Sequence, residues 1–212
     1  MRIAVTRERT DGERRVAISP EATRVLVAAG HDLVIESGAG SAAGMRDADY
    51  ESAGATIAPD RVTTVDRAGL LISVHGPTSP DDLAEVTSDH VVIALLDPVW
   101  NPAAAKALAA TGATAYSLDL VPRSTRAQSM DVLSSTATVA GTQAVLTAAY
   151  RLPKLMPLMI TAAGTIPPAR LVVLGAGVAG LQAIATARRL GAVVEGFDIR
   201  EAALEQTRSV GA

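Results

Sequence analysis

The sequence predicts an α/β fold in which helices cover parallel sheets, and three observations lead to it. Short β-type runs alternate with helical stretches through residues 1–128, the pattern of strands joined by crossover helices. Hydrophobic residues make up 49% of the 212 residues but aromatic residues only 2%. Ala, Val, Leu and Ile must therefore build the core, and Trp100 and Tyr116 are expected to pack within it. A second strand–helix unit follows a proline-rich segment, so two domains are expected.

Composition excludes several classes of protein and of site. The formal net charge of -3 and the pI of about 5.6 argue against a nucleic-acid-binding protein, which usually has a basic face. Without cysteine there are no disulfides, no thiolate chemistry and no cysteine-bound zinc, and the three scattered histidines argue against a metal site. No apolar run approaches the roughly 20 residues of a membrane-spanning helix. We therefore expect a cytoplasmic chain that reaches a membrane only through partners.

The first predicted domain comprises residues 1–128 and begins with a strand at 3–6. Ser19-Pro20-Glu21 predicts a helix start, with a serine N-cap, proline at the first position and an acid in the first turn, and Gly30 ends that helix. The charged segment between this strand and this helix, which includes Glu8 and Glu13, is expected to be a solvated loop. The remaining strands are predicted at 32–36, 55–57, 69–74, 90–95 and 114–117, and the remaining helices at 47–52, 81–85 and 102–110.

The second half of the chain is predicted to begin with a linking segment, residues 129–168. One long helix at 129–150 is followed by a linker that four prolines and Gly164 interrupt. The second domain, 169–212, then has a strand at 171–174, a glycine turn, a helix at 178–190, a strand at 192–197 and a helix at 201–209. A doubly wound nucleotide-binding domain has about six strands. Because two strands follow the linker, we expect this domain to be incomplete.

The glycine turn matches the GxGxxG pattern of dinucleotide-binding proteins, with glycines at 175, 177 and 180. It follows an apolar run and opens an alanine-rich helix, which is the context that the pattern requires. Gly175 would permit the tight turn, Gly177 would let the backbone approach a pyrophosphate, and Gly180 would let helix and strand pack closely. The N-terminal end of the helix would then hold the phosphates. A close-packed turn that binds no ligand is the alternative.

Asp198 ends the strand that follows, 18 residues after Gly180 and close to the roughly 20 expected for an acid that binds ribose hydroxyls. Such a carboxylate repels a 2′-phosphate and so favours NAD(H) over NADP(H). Arg200 complicates this preference, because a nearby arginine can accommodate that phosphate. The alternative is that Asp198 merely caps the next helix.

A second polar stretch, residues 121–135, combines arginine, amide, carboxylate and hydroxyl groups. Gln128, Asp131 and Ser134 or Ser135 are spaced three or four apart, so they would share one face of the predicted helix. Such a set could hydrogen-bond both the donor and the acceptor of a nicotinamide carboxamide. An equally good local interpretation is a capping box of Thr125 and Gln128, with Asp131 as an acid in the first helical turn.

Over its whole length the chain resembles the NAD(H)-binding alpha subunit (domain I) of the proton-translocating NAD(P) transhydrogenases, a family that shares its architecture with alanine dehydrogenase. The run Arg-Ala-Gln-Ser-Met-Asp at 126–131, followed by Leu-Ser-Ser at 133–135, is the most specific portion of this similarity. The other matching segments are 12–17, Asn101-Pro102, 121–125, 161–164, Pro167-Pro168, 175–180 and Phe197-Asp198.

The resemblance implies two Rossmann-like α/β domains with the NAD(H) site in the cleft between them. It implies that Arg123, Asp131 and Ser134 hold the nicotinamide end and that Gln128 reaches toward NADP(H) on a partner domain. It further implies Re/Si-specific, direct hydride transfer in a homodimer that docks with membrane and NADP(H)-binding subunits. The positions assigned to cofactor binding are Gly175, Ala176, Gly177, Val178, Ala179, Gly180, Asp198, Ile199 and Arg200.

An alanine-dehydrogenase-like activity is the first alternative. Reductive amination needs a general acid or base near the substrate carbonyl, and alanine dehydrogenases carry a lysine and a histidine after successive strands. The corresponding stretches here, 71–77 and 94–98, contain no lysine, and the second contains no histidine. His75 stands at the lysine position, and Arg15 matches an arginine found in both kinds of enzyme. A truncated, non-catalytic nucleotide-binding or interaction subunit is the second alternative.

Overall fold

A computed structural model describes the whole chain, residues 1–212, as two compact units, Met1–Met130 and Asp131–Ala212. The first unit contains a six-stranded parallel sheet, which confirms the α/β fold. Its strands are β1 (Arg2–Val5), β2 (Asp32–Glu36), β3 (Thr56–Ala58), β4 (Leu70–His75), β5 (Val91–Leu95) and β6 (Thr114–Ser117). Its helices are α1 (Pro20–Ala28), α2 (Asp47–Ser52), α3 (Arg61–Val65), α4 (Pro80–Ala84) and α5 (Pro102–Ala110).

The strand order in this sheet is β3-β2-β1-β4-β5-β6. The chain winds from β1 to one edge and then returns to β4, so the strand order reverses between β1 and β4, where their pairing aligns Ala4 with Leu71. Successive side chains of a strand point to opposite faces. Ile3 and Val5 therefore join one buried cluster and Ala4 joins a second, with helices covering both faces. In doubly wound sheets such a reversal marks the place where ligands bind.

Local signals placed several of these elements correctly. Ser19 Oγ accepts a hydrogen bond from the Ala22 N–H at 3.2 Å, which caps α1 as predicted, and Gly30 follows that helix with φ +86°. Helix α3 was not predicted. Trp100 and Tyr116 are 86% and 59% exposed, so their predicted burial is wrong: Trp100 lies in the loop after β5 and Tyr116 on the edge strand β6.

The second unit begins with α6 (Val132–Arg151), and β9 (Arg170–Leu174), α7 (Val178–Arg189), β10 (Val193–Phe197) and α8 (Glu201–Ser209) follow the predicted order. The segment predicted as a plain linker also contains an antiparallel hairpin of β7 (Met159–Thr161) and β8 (Gly164–Ile166). Strands β9 and β10 pair in parallel. None of the helices combines the length and the apolar character that crossing a membrane would require.

Helices α7 and α8 pack on the same face of the β9–β10 sheet. A Cβ atom placed on Gly196 would lie 3.2 Å from Ile184 Cδ1 of α7 and 3.0 Å from Thr207 Cγ2 of α8, so both helices pack tightly against this glycine. Helix α6 crosses α7 so closely that a Cβ atom on Gly141 would collide with the Ala179 carbonyl oxygen. This packing fixes the helix that begins at the glycine turn.

Candidate functional site

The glycine turn joins β9 to α7 in the second unit. Gly175 has φ +99°, a conformation that favours glycine, and its N–H donates to the Phe197 carbonyl oxygen at 2.8 Å. A Cβ atom on Gly180 would collide with the Gly175 carbonyl oxygen, so the helix can approach the turn only with glycine at this position. The tight turn and the close packing predicted for these two glycines are present in the structure.

Gly177 differs from Gly180 because open space surrounds it, and from Gly175 because its φ of -79° is one that any residue can adopt. It is the N-cap of α7, and a Cβ atom there would meet no other atom within 4 Å. The first N–H groups of α7 have no partner within the helix, and they lie at its positive end. The turn therefore offers an open backbone surface that fits the pyrophosphate of a dinucleotide.

Asp198 lies at the end of β10 and is 8% exposed. Its Oδ2 atom accepts a hydrogen bond from the Ala176 N–H at 2.7 Å, which ties the end of the strand to the glycine turn. The Arg200 guanidinium bonds both carboxylate oxygens, and this contact holds the pKa of Asp198 far below its usual range. The carboxylate is thus charged at neutral pH and lies beside the turn, where an acceptor for ribose hydroxyls would be needed.

The structure does not support the alternative in which Asp198 caps the next helix. The N-cap of α8 is Arg200, and no side chain accepts a capping hydrogen bond there. Ile199, between these two residues, is 91% exposed. Asp198 therefore contacts the glycine turn and the N–H of the N-cap residue Arg200, and it accepts no hydrogen bond from an N–H inside α8.

The helix that follows the polar stretch begins later than predicted. Residues Thr125–Met130 form a 3-10 helix, and α6 begins at Val132 with Asp131 as its N-cap. The Asp131 carboxylate accepts from the Ser134 N–H at 2.9 Å, the bond that stabilises a helix start. The predicted long helix at 129–150 is therefore wrong at its start, as are the helix face shared by Gln128 and Asp131 and the Thr125–Gln128 capping box.

The structure brings together two of the three residues assigned to the nicotinamide end, Asp131 and Ser134. Ser134 Oγ donates to Asp131 Oδ2 at 2.6 Å, and Asp131 is 9% exposed. Arg123 and Gln128 belong to the first unit and have exposed side chains. The role of Arg123 at the nicotinamide ring and that of Gln128 toward NADP(H) stay predictions, as do the roles of Asp131 and Ser134 at the ring.

A partly buried polar cluster at the ends of β1 and β4 was not predicted. Glu8 accepts hydrogen bonds from the Val74 and His75 N–H groups, at 2.6 and 3.1 Å. Glu13 Oε2 lies 2.8 Å from His75 Nε2 and 2.6 Å from an Arg15 guanidinium nitrogen. The hydrogen bonds of Arg15 hold the pKa of Glu13 far below its usual range.

The predicted solvated loop is therefore wrong for these two glutamates, since the Glu13 side chain is only 9% exposed. The segment after β1 and the segment after β4 line a small cavity of about 190 Å³, at the reversal of the strand order. The signal that could have found the cluster is topological: it requires knowing that β1 and β4 are neighbours.

Comparison with known proteins agrees with this architecture. The profile described as alanine dehydrogenase/PNT, N-terminal domain, matches residues 4–140, and the corresponding C-terminal domain matches residues 144–212. The structure of a transhydrogenase from Sinorhizobium meliloti matches with a TM-score of 0.95 and 47% identity, over all of this chain and 63% of that one.

Two curated relatives represent the two activities named in that family. An NAD(P) transhydrogenase subunit alpha of Rhodospirillum rubrum is 45% identical over 215 residues, which cover all of this chain and 56% of the relative. The alanine dehydrogenase of Halomonas elongata is 34% identical over 203 residues, covering 93% of this chain and 53% of the relative. The chain thus spans about half the length of these relatives. With both domain profiles matched in order along its length, the chain belongs to the alanine dehydrogenase/PNT family.

Proposed function

We propose that the chain is the NAD(H)-binding component of a proton-translocating NAD(P)+ transhydrogenase. The observation that carries the proposal is the charged Asp198 carboxylate bonded to a glycine turn with the geometry of a dinucleotide site. The similarity to transhydrogenase alpha subunits over the whole chain supports it. Gly177 and the first N–H groups of α7 would hold the pyrophosphate, and Asp198 would accept from the ribose hydroxyls.

When bound, NADH supplies a hydride from its dihydronicotinamide ring. In our proposal Arg123, Asp131 and Ser134 hold the carboxamide, and Gln128 faces the NADP(H) of a partner subunit. The bond between Ser134 Oγ and Asp131 supports this assignment, because it holds a carboxylate acceptor and a hydroxyl in one place. Transfer between two nicotinamide rings needs positioning and no protein acid, so these residues bind and orient without moving a proton.

The assembly that this function requires is also proposed. The chain would form a homodimer and dock with membrane and NADP(H)-binding subunits, which place it at the membrane surface and supply the proton path. The similarity to a relative named as a subunit supports the need for partners.

One observation favours alanine-dehydrogenase-like activity as a second candidate. His75, at the position where such enzymes carry a lysine, contacts Glu13 at 2.8 Å beside the cavity in the first unit. A histidine paired with a carboxylate can act as a general acid.

The first experiment is a fluorescence titration of the purified chain with NADH. Saturable binding is expected, and its absence would favour a non-catalytic interaction subunit. The second experiment mixes the chain with the proposed NADP(H)-binding partner, NADP+ and NADH that carries deuterium at the position from which the hydride is transferred. Deuterium should then appear in NADPH without exchange into water. Robust oxidation of NADH with pyruvate and ammonia, by the chain alone, would instead support the second candidate.

A further inference from the structure

The hydrogen-bonding capacity of the Asp198 carboxylate is fully used. A carboxylate offers about four acceptor positions. Four donors match them here: the Ala176 N–H at 2.7 Å, the Arg200 N–H at 2.8 Å, and Nε and Nη2 of the Arg200 guanidinium, each at 3.0 Å. Ribose hydroxyls can therefore bond this carboxylate only if one of these donors leaves.

The donors differ in how easily they can leave. The two backbone N–H groups are held by the glycine turn and by the chain that leads into α8. The guanidinium is at the end of a flexible side chain that is 63% exposed, whereas the side chain of Asp198 is 6% exposed. An ion pair with one partner in solvent adds little net stability. The guanidinium is thus the donor that a ribose would displace.

We propose that Arg200 is a specificity-determining residue of the nucleotide site, because its guanidinium competes with ribose hydroxyls for the Asp198 carboxylate and offers a positive charge to a 2′-phosphate. This inference rests on the proposed NAD(H) site. It implies that Arg200 has opposite effects on the affinities for NADH and NADPH. Arg200 opposes the binding of NADH, and it reduces the repulsion that Asp198 exerts on NADPH.

Removing the guanidinium should therefore move the two affinities in opposite directions. In Arg200→Ala the carboxylate is open to the ribose, so NADH should bind up to about fivefold more tightly, the value of one exposed ion pair. NADPH should bind at least about tenfold more weakly, because its phosphate loses a charge-assisted partner and meets an unneutralised carboxylate. The ratio of the two dissociation constants is the quantity to measure.

The test titrates the 212-residue chain and its variants with NADH and with NADPH, by nucleotide fluorescence at one low ionic strength. Arg200→Lys keeps the positive charge but lacks the bidentate hydrogen bonding of the guanidinium. It should therefore retain most of the NADPH binding that Arg200→Ala loses. Arg208→Ala is the matched control. It removes the same charge from the exposed last turn of α8, about 12 Å further along the helix axis, and should leave the ratio unchanged.

Each other outcome contradicts the inference. Equal losses for NADH and NADPH, together with a lower melting temperature, would mean that Arg200 only supports the turn. An unchanged ratio in Arg200→Ala, or wild-type binding of NADPH too weak to saturate, would also overturn the assigned role while leaving NADH binding intact. A wild-type chain that does not bind NADH would overturn the proposed function along with the inference.

Discussion

The Asp198 carboxylate has one observed contact and one proposed role. It accepts a hydrogen bond from the Ala176 N–H, and in the proposed site it also accepts from ribose hydroxyls. Asp198→Asn removes the negative charge and places an amide group where both carboxylate oxygens now accept. We expect NADH to bind roughly tenfold more weakly, the effect of one lost charge-assisted hydrogen bond, and NADPH to be affected less. Nucleotide titration measures both affinities.

The control for this variant is Glu195→Gln. Glu195 lies on the same strand and forms an exposed ion pair with Arg170, so its neutralisation changes the net charge equally without touching the glycine turn. If Glu195→Gln weakened NADH binding as much as Asp198→Asn does, the loss of affinity would be an effect of the overall charge, and Asp198 would lose its assigned role.

Glu13 predicts a pH dependence of stability in the first unit. Its pKa in the folded chain lies below its ordinary value of 4.5, chiefly because of the Arg15 hydrogen bonds. A lowered pKa means that the contribution of Glu13 is complete above pH 4.5 and is lost as the pH falls through the folded-state value. The melting temperatures of the wild-type chain and Glu13→Gln should therefore differ at about pH 5 and converge as the solution is made more acidic.

Melting curves followed by circular dichroism across this range test the prediction. Glu21→Gln, at an exposed position in the first turn of α1, is a suitable control. A gap between wild-type and Glu13→Gln that widened as the pH fell below 4.5 would contradict the sign of the pKa shift.

At the scale of the element, two glycines of the turn between β9 and α7 have different expected roles. Gly177 is expected to matter for nucleotide binding, and Gly180 for the stability of the fold. Gly177→Ala adds a methyl group in open space at φ -79°, so the fold should tolerate it, whereas a pyrophosphate would lose its close contact with the backbone. We expect stability within about 0.5 kcal/mol of wild type and NADH binding at least about tenfold weaker.

Gly180→Ala is the matched variant, with the same chemical change three residues away. Its methyl group would collide with the Gly175 carbonyl oxygen, so α7 must shift. Urea unfolding should show a loss of about 1–3 kcal/mol, typical of overpacking. A Gly177→Ala chain that bound NADH normally would remove the pyrophosphate from this turn, whatever Gly180→Ala did.

Elements could be predicted from the sequence where a local signal decides them. The cap of α1 and the conformation of Gly175 depend on residues within one turn of each other. The start of α6 was wrong because several residues between 125 and 131 have good capping chemistry, and only the folded chain selects Asp131. The β7–β8 hairpin was missed because prolines on either side of it and Gly164 within it indicate a break and not a strand.

At the scale of the whole molecule, the missed features are those that depend on which strands are neighbours. The bonds from Glu8 to the backbone of β4 span 66 and 67 residues, and no spacing rule reaches that far. The prediction that single residues are buried failed for the same reason. Trp100 has a large apolar side chain, as core residues do, but it lies in a surface loop. Candidate site residues were found where a compact motif carries them, as in residues 175–180, and missed where the tertiary fold assembles them.

Arg123 provides a test of the roles that the two units would have in the proposed transhydrogenase complex. It is exposed in the first unit, whereas the glycine turn and Asp198 lie in the second. If Arg123 orients the nicotinamide ring while the second unit supplies most of the binding, then Arg123→Ala should lower the rate of hydride transfer much more than NADH affinity. A loss of about 100-fold in rate with less than about fivefold in Kd is the pattern expected for a lost positioning contact.

The rate is measured in the complex with the NADP(H)-binding partner, and the Kd by titration of the same preparation with NADH. Arg126→Ala removes the same charge three residues further along, at another exposed position of the same segment, and serves as the control because no role at the ring is assigned to it. Equal losses in rate and affinity would make Arg123 an ordinary binding residue. A rate unaffected by Arg123→Ala would place the reactive ring away from this segment, since an orienting contact cannot be removed without cost to the transfer step.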